Sequence, residues 1–248
     1  MTTSASRWLA ATVLMGALVL SMPTSAQSLS VDLGGGASAT GRIVQIIALL
    51  TVLSLAPSIL VMVTSFTRIV VVLSFLRNAM GVQQTPPNSV LISLALFLTA
   101  FVMAPTLEQS YRDGIAPLME NRISEEEAFS RTIKPVHSFM MTHVREQDLR
   151  LFMEMSKAPP AATAEATPLR SLVPAFMISE LRRAFEIGFL LFVPFLIIDM
   201  VVASVLMSMG MMMLPPVMIS LPFKLIFFVL VDGWYLVAGS LVKSYGAG

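Results

Sequence analysis

Apolar positions along this chain come in long unbroken runs rather than in alternation, and the runs predict helices of membrane length. Ile43 to Phe66 carries no charge over 24 residues, about 36 Å at ~1.5 Å per helical residue, enough to cross a hydrocarbon layer. Pro57 predicts a kink within it. Arg68 and Arg77 follow, and Gln83 to Asn88 (QQTPPN) reads as a turn built on Pro86 and Pro87 and closed by Asn88. A second charge-free run extends from Asn88 to Leu107, with Pro105 breaking the helix near its end. Residues 42–105 therefore read as a first apolar helical hairpin. The positive-inside rule puts its tip, near Arg77, in the cytoplasm.

A second pair of runs, Ala184 to Met209 and Pro216 to Val242, makes another hairpin over 184–242, joined through Gly210, a methionine-rich loop, Pro215 and Pro216. Pro194 and Pro222 predict kinks. Unlike the first hairpin it carries Glu186, Asp199, Lys224 and Asp232 inside apolar stretches. A charge at a helix centre costs about 2.5–3.5 kcal/mol on insertion scales, so these groups are expected to face protein or water. Lys224 is read as interhelical glue for one or more carboxylates, in preference to a proton or ion relay. Lys224 and Asp232 stand eight positions apart, about two helical turns, which predicts roughly one shared face. Arg68, in a mostly apolar stretch, reads as an anchor reaching toward polar groups.

Residues 106–183 differ in kind, holding 21 of the chain's 31 charged residues. They are expected to form a water-facing helical block outside the cytoplasm. Glu125 to His137 and Ser138 to Met155 read as amphipathic helices, with Ser124 and Glu127 as a capping box. Lys157 to Pro168 (KAPPAATAEATP) reads as a linker, and a further helix is expected from near Pro168 or Ser171 into the next apolar run. At the start, Arg7, the apolar run Trp8 to Met22, and Pro23 to Ala26 have signal-peptide layout. Cleavage after Ala26 is preferred to a retained first membrane helix, because the run is short and ends at a helix breaker. Residues 27–41 are expected to be a flexible leader, and 243–248 a tail.

Composition sharpens this picture. The 248 residues are 56% hydrophobic and 12% charged, with a mean hydropathy of +0.80, which points to a membrane protein. The 16 basic and 15 acidic residues nearly cancel, leaving no basic field for nucleic acid. Zero cysteines exclude disulfides, zinc fingers and iron–sulfur clusters. The two histidines, His137 and His143, are six apart, not the spacing that puts two metal ligands on one helix face. No metalloprotease, nucleophile-elbow, phosphate-loop or dinucleotide motif occurs. No catalytic residue, metal site or cofactor is expected. Nineteen methionines remain to be explained, with Met207, Met209, Met211, Met212, Met213 and Met218 around one hairpin tip. Flexible thioethers suit either a deformable seal or the filling of irregular gaps between helices, with soft-metal transport a third option.

Several long words then identify a resemblance. MVTSFTRIVVVLSFLRNAMG (Met62 to Gly81), the TPPN turn, PFLIIDMVVASVLMSMGMMMLPP (Pro194 to Pro216) and SLPFKLIFFVLVDGW (Ser220 to Trp234) closely resemble the FliP family, related to the SctR proteins of injectisomes. The resemblance covers roughly Ile43 to Val242, and the leader favours its flagellar branch. It implies an all-α protein whose two kinked hairpins and helical block assemble as a helical ring with FliQ and FliR. That ring is the entry pore through which unfolded flagellar subunits leave the cytoplasm. It further implies contact with the FlhA and FlhB export apparatus and the basal body. The bulk of the assembly is expected on the periplasmic side of the inner membrane. Met207, Met209, Met211, Met212 and Met213 then match the pore constriction, and Arg68, Glu186, Asp199, Lys224 and Asp232 become inter-helix or intersubunit charges. A secondary transporter or ion channel with midplane carboxylates is the rival from another class, but Pro57, Arg68 and TPPN do not repeat in the second half. A scaffold without a pore-lining surface is a third reading.

Overall fold

A computed structural model describes residues 39–82, 84–156, 163–211 and 214–246. The expected signal peptide and most of the leader lie outside the described residues, as do Met212, Met213 and half of the linker. The chain divides into two compact units, Met1–Leu53 and Ser54–Gly248.

Helix α1 covers Ala39–Val63, so the last residues of the expected leader are already helical. In the first unit its side chains Ile43, Ile46, Leu49 and Leu53 are exposed, and Thr51 Oγ1 donates back to Ile47 O at 2.7 Å. That back-bonding lets a hydroxyl sit in an apolar helix without an unsatisfied proton.

In the second unit the chain is helical, with no strand among the described residues. Helix α2 (Phe66–Ala79) is its centre. Ile69, Val72, Leu73 and Leu76 recur at helical spacing and are buried together with Leu91 and Ala95 of α3 (Asn88–Ser110). Ala184 and Phe195 of α7 (Leu169–Ser208) close the same core, with Phe228 from α8 (Pro216–Leu230) and Leu241 from α9 (Gly233–Lys243). Gly188 lets α7 approach α2, since a Cβ there would lie 2.6 Å from the Phe75 ring. A π-turn (Tyr111–Ile115) and short α4 (Ala116–Met119) continue α3, and α5 (Glu125–His143) and α6 (Glu146–Met155) pack on α7. There Met140, Leu172 and Phe176 form a second core.

Among the described residues two helices are long and apolar enough to cross a membrane, Asn88–Met119 and Leu169–Ser208, and two bent pairs, Ile46–Leu55 with Pro57–Val63 and Pro216–Leu230 with Gly233–Lys243, qualify if each is taken as one span.

Several sequence expectations need correction. The first arm of hairpin one is two helices, interrupted at Thr64 and Ser65, where Thr67 Oγ1 reaches Val61 O at 3.0 Å. Pro105 lies inside α3 and does not end it. One missing N–H is tolerable where neighbouring helices surround the backbone. The amphipathic block breaks at Val144 and Arg145, not at His137, because Arg145 N–H leaves the helix pattern to donate to Ser179 Oγ at 3.0 Å. The run 216–242 breaks at Val231 and Asp232 with a 62° bend. Asp232 there adopts φ 49, and a Cβ on Gly233 would strike the Phe228 ring at 2.1 Å.

Candidate functional site

The tip of the second hairpin is built by its turn residues. Helix α7 ends in a Schellman motif: Gly210 takes φ +74, its N–H donates to Met207 O at 3.1 Å, and Met211 N–H donates to Leu206 O at 3.0 Å. Helix α8 then starts with Pro215 as its N-cap and Pro216 as its first residue, where a missing N–H costs nothing. The described methionines of the tip face outward: Met207 is 59% and Met209 54% exposed, and Met211 is exposed as well. Below the tip, Ile197, Val201, Val205, Met209, Ile219 and Phe223 line an apolar groove between α7 and α8.

The charges of this hairpin have separate fates. Lys224 Nζ donates to Asp199 Oδ2 at 2.6 Å and to Ala79 O at 3.3 Å, and Ser220 Oγ donates to Asp199 Oδ1 at 2.6 Å. One ammonium thus joins α8 to α7 and closes the C-terminal carbonyl of α2, the end that favours a cation. Lys224 is nearly buried, whereas the Asp199 side chain stays 37% exposed. Helix α8 ends at Leu230, so Lys224 and Asp232 do not lie on one continuous helix, and Lys224 is buried while Asp232 is exposed. Among the described residues Asp232 has no ion pair, and it leaves the N-terminus of α9 without a side-chain cap. Glu186 pairs with Arg182 at 2.9 Å, one turn back on its own helix and at its exposed face. The first hairpin's turn is stapled by Arg77, which donates to Pro86 O at 3.3 Å and to Asn88 Oδ1, with Pro87 as the N-cap of α3.

Arg68 finds the partner that the sequence reading missed. Its guanidinium, 1% exposed, forms a two-pronged ion pair with Glu180, 0% exposed; the Nε donates to Oε2 at 2.8 Å and Nη2 to Oε1. Glu180 lies in the segment expected to face water, which is therefore wrong for this residue. A signal was present: Leu172, Phe176, Glu180, Ala184 and Gly188 recur every fourth position, which places Glu180 in the buried stripe of α7. Around this pair, Ser179 Oγ bonds Asp148 Oδ2 at 2.7 Å, and His143 Nδ1–H donates to Phe139 O at 2.8 Å. Burial lowers the His143 pKa below its ordinary value, a backbone hydrogen bond and Glu180 opposing the shift only in part. His137 stands apart, donating to Thr167 O at 2.8 Å, and among the described residues no group of three or more His, Asp or Glu is placed to hold a metal.

Comparison with known proteins decides the family. The model of the FliP family matches residues 49–241. The chain belongs to the FliP family. The flagellar biosynthetic protein FliP of Caulobacter vibrioides is 65% identical over 230 residues, covering 92% of this chain and 86% of that protein. The protein of the same name from Bacillus subtilis is 58% identical over 202 residues, 82% of this chain and 91% of its own length. That from Rhizobium meliloti is 50% identical over 240 residues, 95% of this chain and 98% of its own. Within this FliP-family chain the matched region contains Arg68, Glu180, Asp199, Lys224 and the methionine tip, and it stops at Leu241, ahead of the tail.

Proposed function

We propose that this chain is a core subunit of the bacterial flagellar type III protein export gate. In this reading several copies assemble with FliQ and FliR into the entry pore for unfolded flagellar subunits. The gate sits in the inner membrane with its bulk on the periplasmic side, against the FlhA and FlhB apparatus and the basal body. The name borne by its relatives, flagellar biosynthetic protein FliP, supports the flagellar assignment.

The observation that carries the pore reading is the methionine tip. The helix end at Gly210 leaves the thioethers of Met207, Met209 and Met211 exposed rather than in the chain's own core. Unbranched, polarizable side chains pack against one another when nothing passes and deform around an extended polypeptide when something does. Met207, Met209, Met211, Met212 and Met213, one set from each copy, would form such a gasket. The long apolar helices, whose outward faces stay uncovered within one chain, are the surfaces that sister copies would bury.

The test is ionic conductance. Substituting Met211, Met212 and Met213 by Ala in the overexpressed complex is expected to make cells leak small ions; background conductance would sink the gasket. The mass of the detergent-purified complex tests the assembly separately, a lone monomer or dimer overturning the ring.

A further inference from the structure

The last described residues of the chain, beyond the family match, enter the buried ion pair. Tyr245 is 8% exposed, and its ring lies 3.8 Å from the Arg68 guanidinium carbon. Helix α5 also packs on the tail, with Phe139 stacked on Tyr245 at 5.9 Å and His143 at 5.0 Å. The Tyr245 hydroxyl donates to Glu180 Oε2, and Arg68 Nη1 donates to Ser244 Oγ at 3.0 Å. Burial and the neighbouring Glu180 carboxylate raise the phenol's pKa well above its usual range, so the donating proton stays in place. Tyr245 N–H and Gly246 N–H close the final turn on Val242 O and Lys243 O at 3.1 and 2.9 Å, and Gly246 ends it at φ +71.

Without these two residues Arg68 would lose a hydrogen-bond acceptor and an aromatic face, and Glu180 would lose a donor. Two buried charges would then have only each other, which is the situation in which desolvation outweighs attraction. We propose that the C-terminal tail is a latch, in which Tyr245 and Ser244 complete the Arg68–Glu180 pair and so fix the end of the second hairpin to α2, α5 and α7. Tyr245 is a positioning residue: the arm it secures, α8 with α9, begins beside the methionine loop and ends in this cluster. The latch is a property of the single chain and does not rest on the export reading.

Thermal unfolding of the purified full chain in detergent tests it. Tyr245→Phe keeps the ring over the guanidinium and loses only the hydroxyl, whereas Tyr245→Ala loses both. The expected shift in Tm for Phe is at most half that for Ala; equal shifts, or no shift for Ala, overturn the latch. An Ala variant too unstable to purify beside a Phe variant that purifies normally counts as the expected result. In an Arg68→Met/Glu180→Leu background no buried charge needs closing, so Tyr245→Ala should shift Tm by less than half its wild-type effect. An undiminished shift there overturns the latch, and if that background does not accumulate, the Phe and Ala comparison decides alone.

Discussion

Two ion pairs hold the two ends of helix α2, and they are built in opposite ways. At the N-terminal end Arg68 and Glu180 are sealed, and the pair is completed by Ser244, Tyr245 and the aromatic groups of α5. At the C-terminal end Lys224 is nearly buried, but Asp199 keeps more than a third of its side chain open. A sealed pair depends on every partner coming from its own chain, because no water enters to replace one that is lost. The open pair can be re-solvated, and it leaves a carboxylate on the surface that the second hairpin turns outward.

The sealed end should therefore give the largest effect. Glu180→Ala leaves a buried guanidinium without its carboxylate and is expected to cost about 3–5 kcal/mol, read as a large fall in Tm of the detergent-purified chain. A Glu180→Ala protein as stable as the wild type would break the comparison. At the open end Lys224→Met removes the bond to Ala79 O but leaves Asp199 able to recruit water. A smaller loss is expected, about 1–3 kcal/mol, measured in the same way. Should Lys224→Met prove worse than Glu180→Ala, the ranking of sealed over open is wrong.

Between the two ends, the middle of α2 is held by shape alone. Gly188→Ala would place a methyl 2.6 Å from the Phe75 ring, and Phe75 is itself packed edge-on against Phe185 and Phe192 at 5.0 and 6.5 Å. Overpacking of this kind costs about 1–3 kcal/mol. Paired with Phe75→Leu, which makes room, the glycine substitution is expected to lose most of its effect. Additive losses would show that the α2–α7 approach is not set by this contact.

The sequence carried the features that depend on local chemistry. Gly210, Pro215 and Pro216 mark the second tip because a left-handed residue and a missing N–H have fixed places at helix ends. Ser124 announces α5, its Oγ accepting Glu127 N–H at 3.3 Å. What the sequence did not carry is the outcome of competition between distant groups. Hydropathy reads Pro216 to Val242 as one run, yet the backbone turns at Asp232, where the Phe228 ring fills the space beside Gly233. Charge density assigned residues 106–183 to water as a block. One carboxylate in that block, Glu180, is claimed instead by Arg68, 112 positions away in sequence, and only the four-residue rhythm of its neighbours hinted at its burial.

The finest probe of the sealed end is its histidine. His143 packs against both Tyr245 and Phe139, which also touch each other, and the charged groups that act on it are Glu180, Arg68 and Arg183. Burial depresses its folded-state pKa below the ordinary histidine value of about 6.5, which holds in the unfolded chain. Above that pH the ring is neutral in both states and contributes no slope. As the pH falls through it, the unfolded chain takes up the proton first, so stability declines with acidification until the folded ring also protonates. A scan of Tm from pH 7.5 to 5.5 should thus slope downward for the wild type and be flatter for His143→Gln, whatever that variant's starting stability. Lys224→Met should retain the wild-type slope, since the open end holds no histidine. If it loses the slope as well, the two ends of α2 are coupled, and the sealed pair and the open pair must be treated as a single electrostatic system.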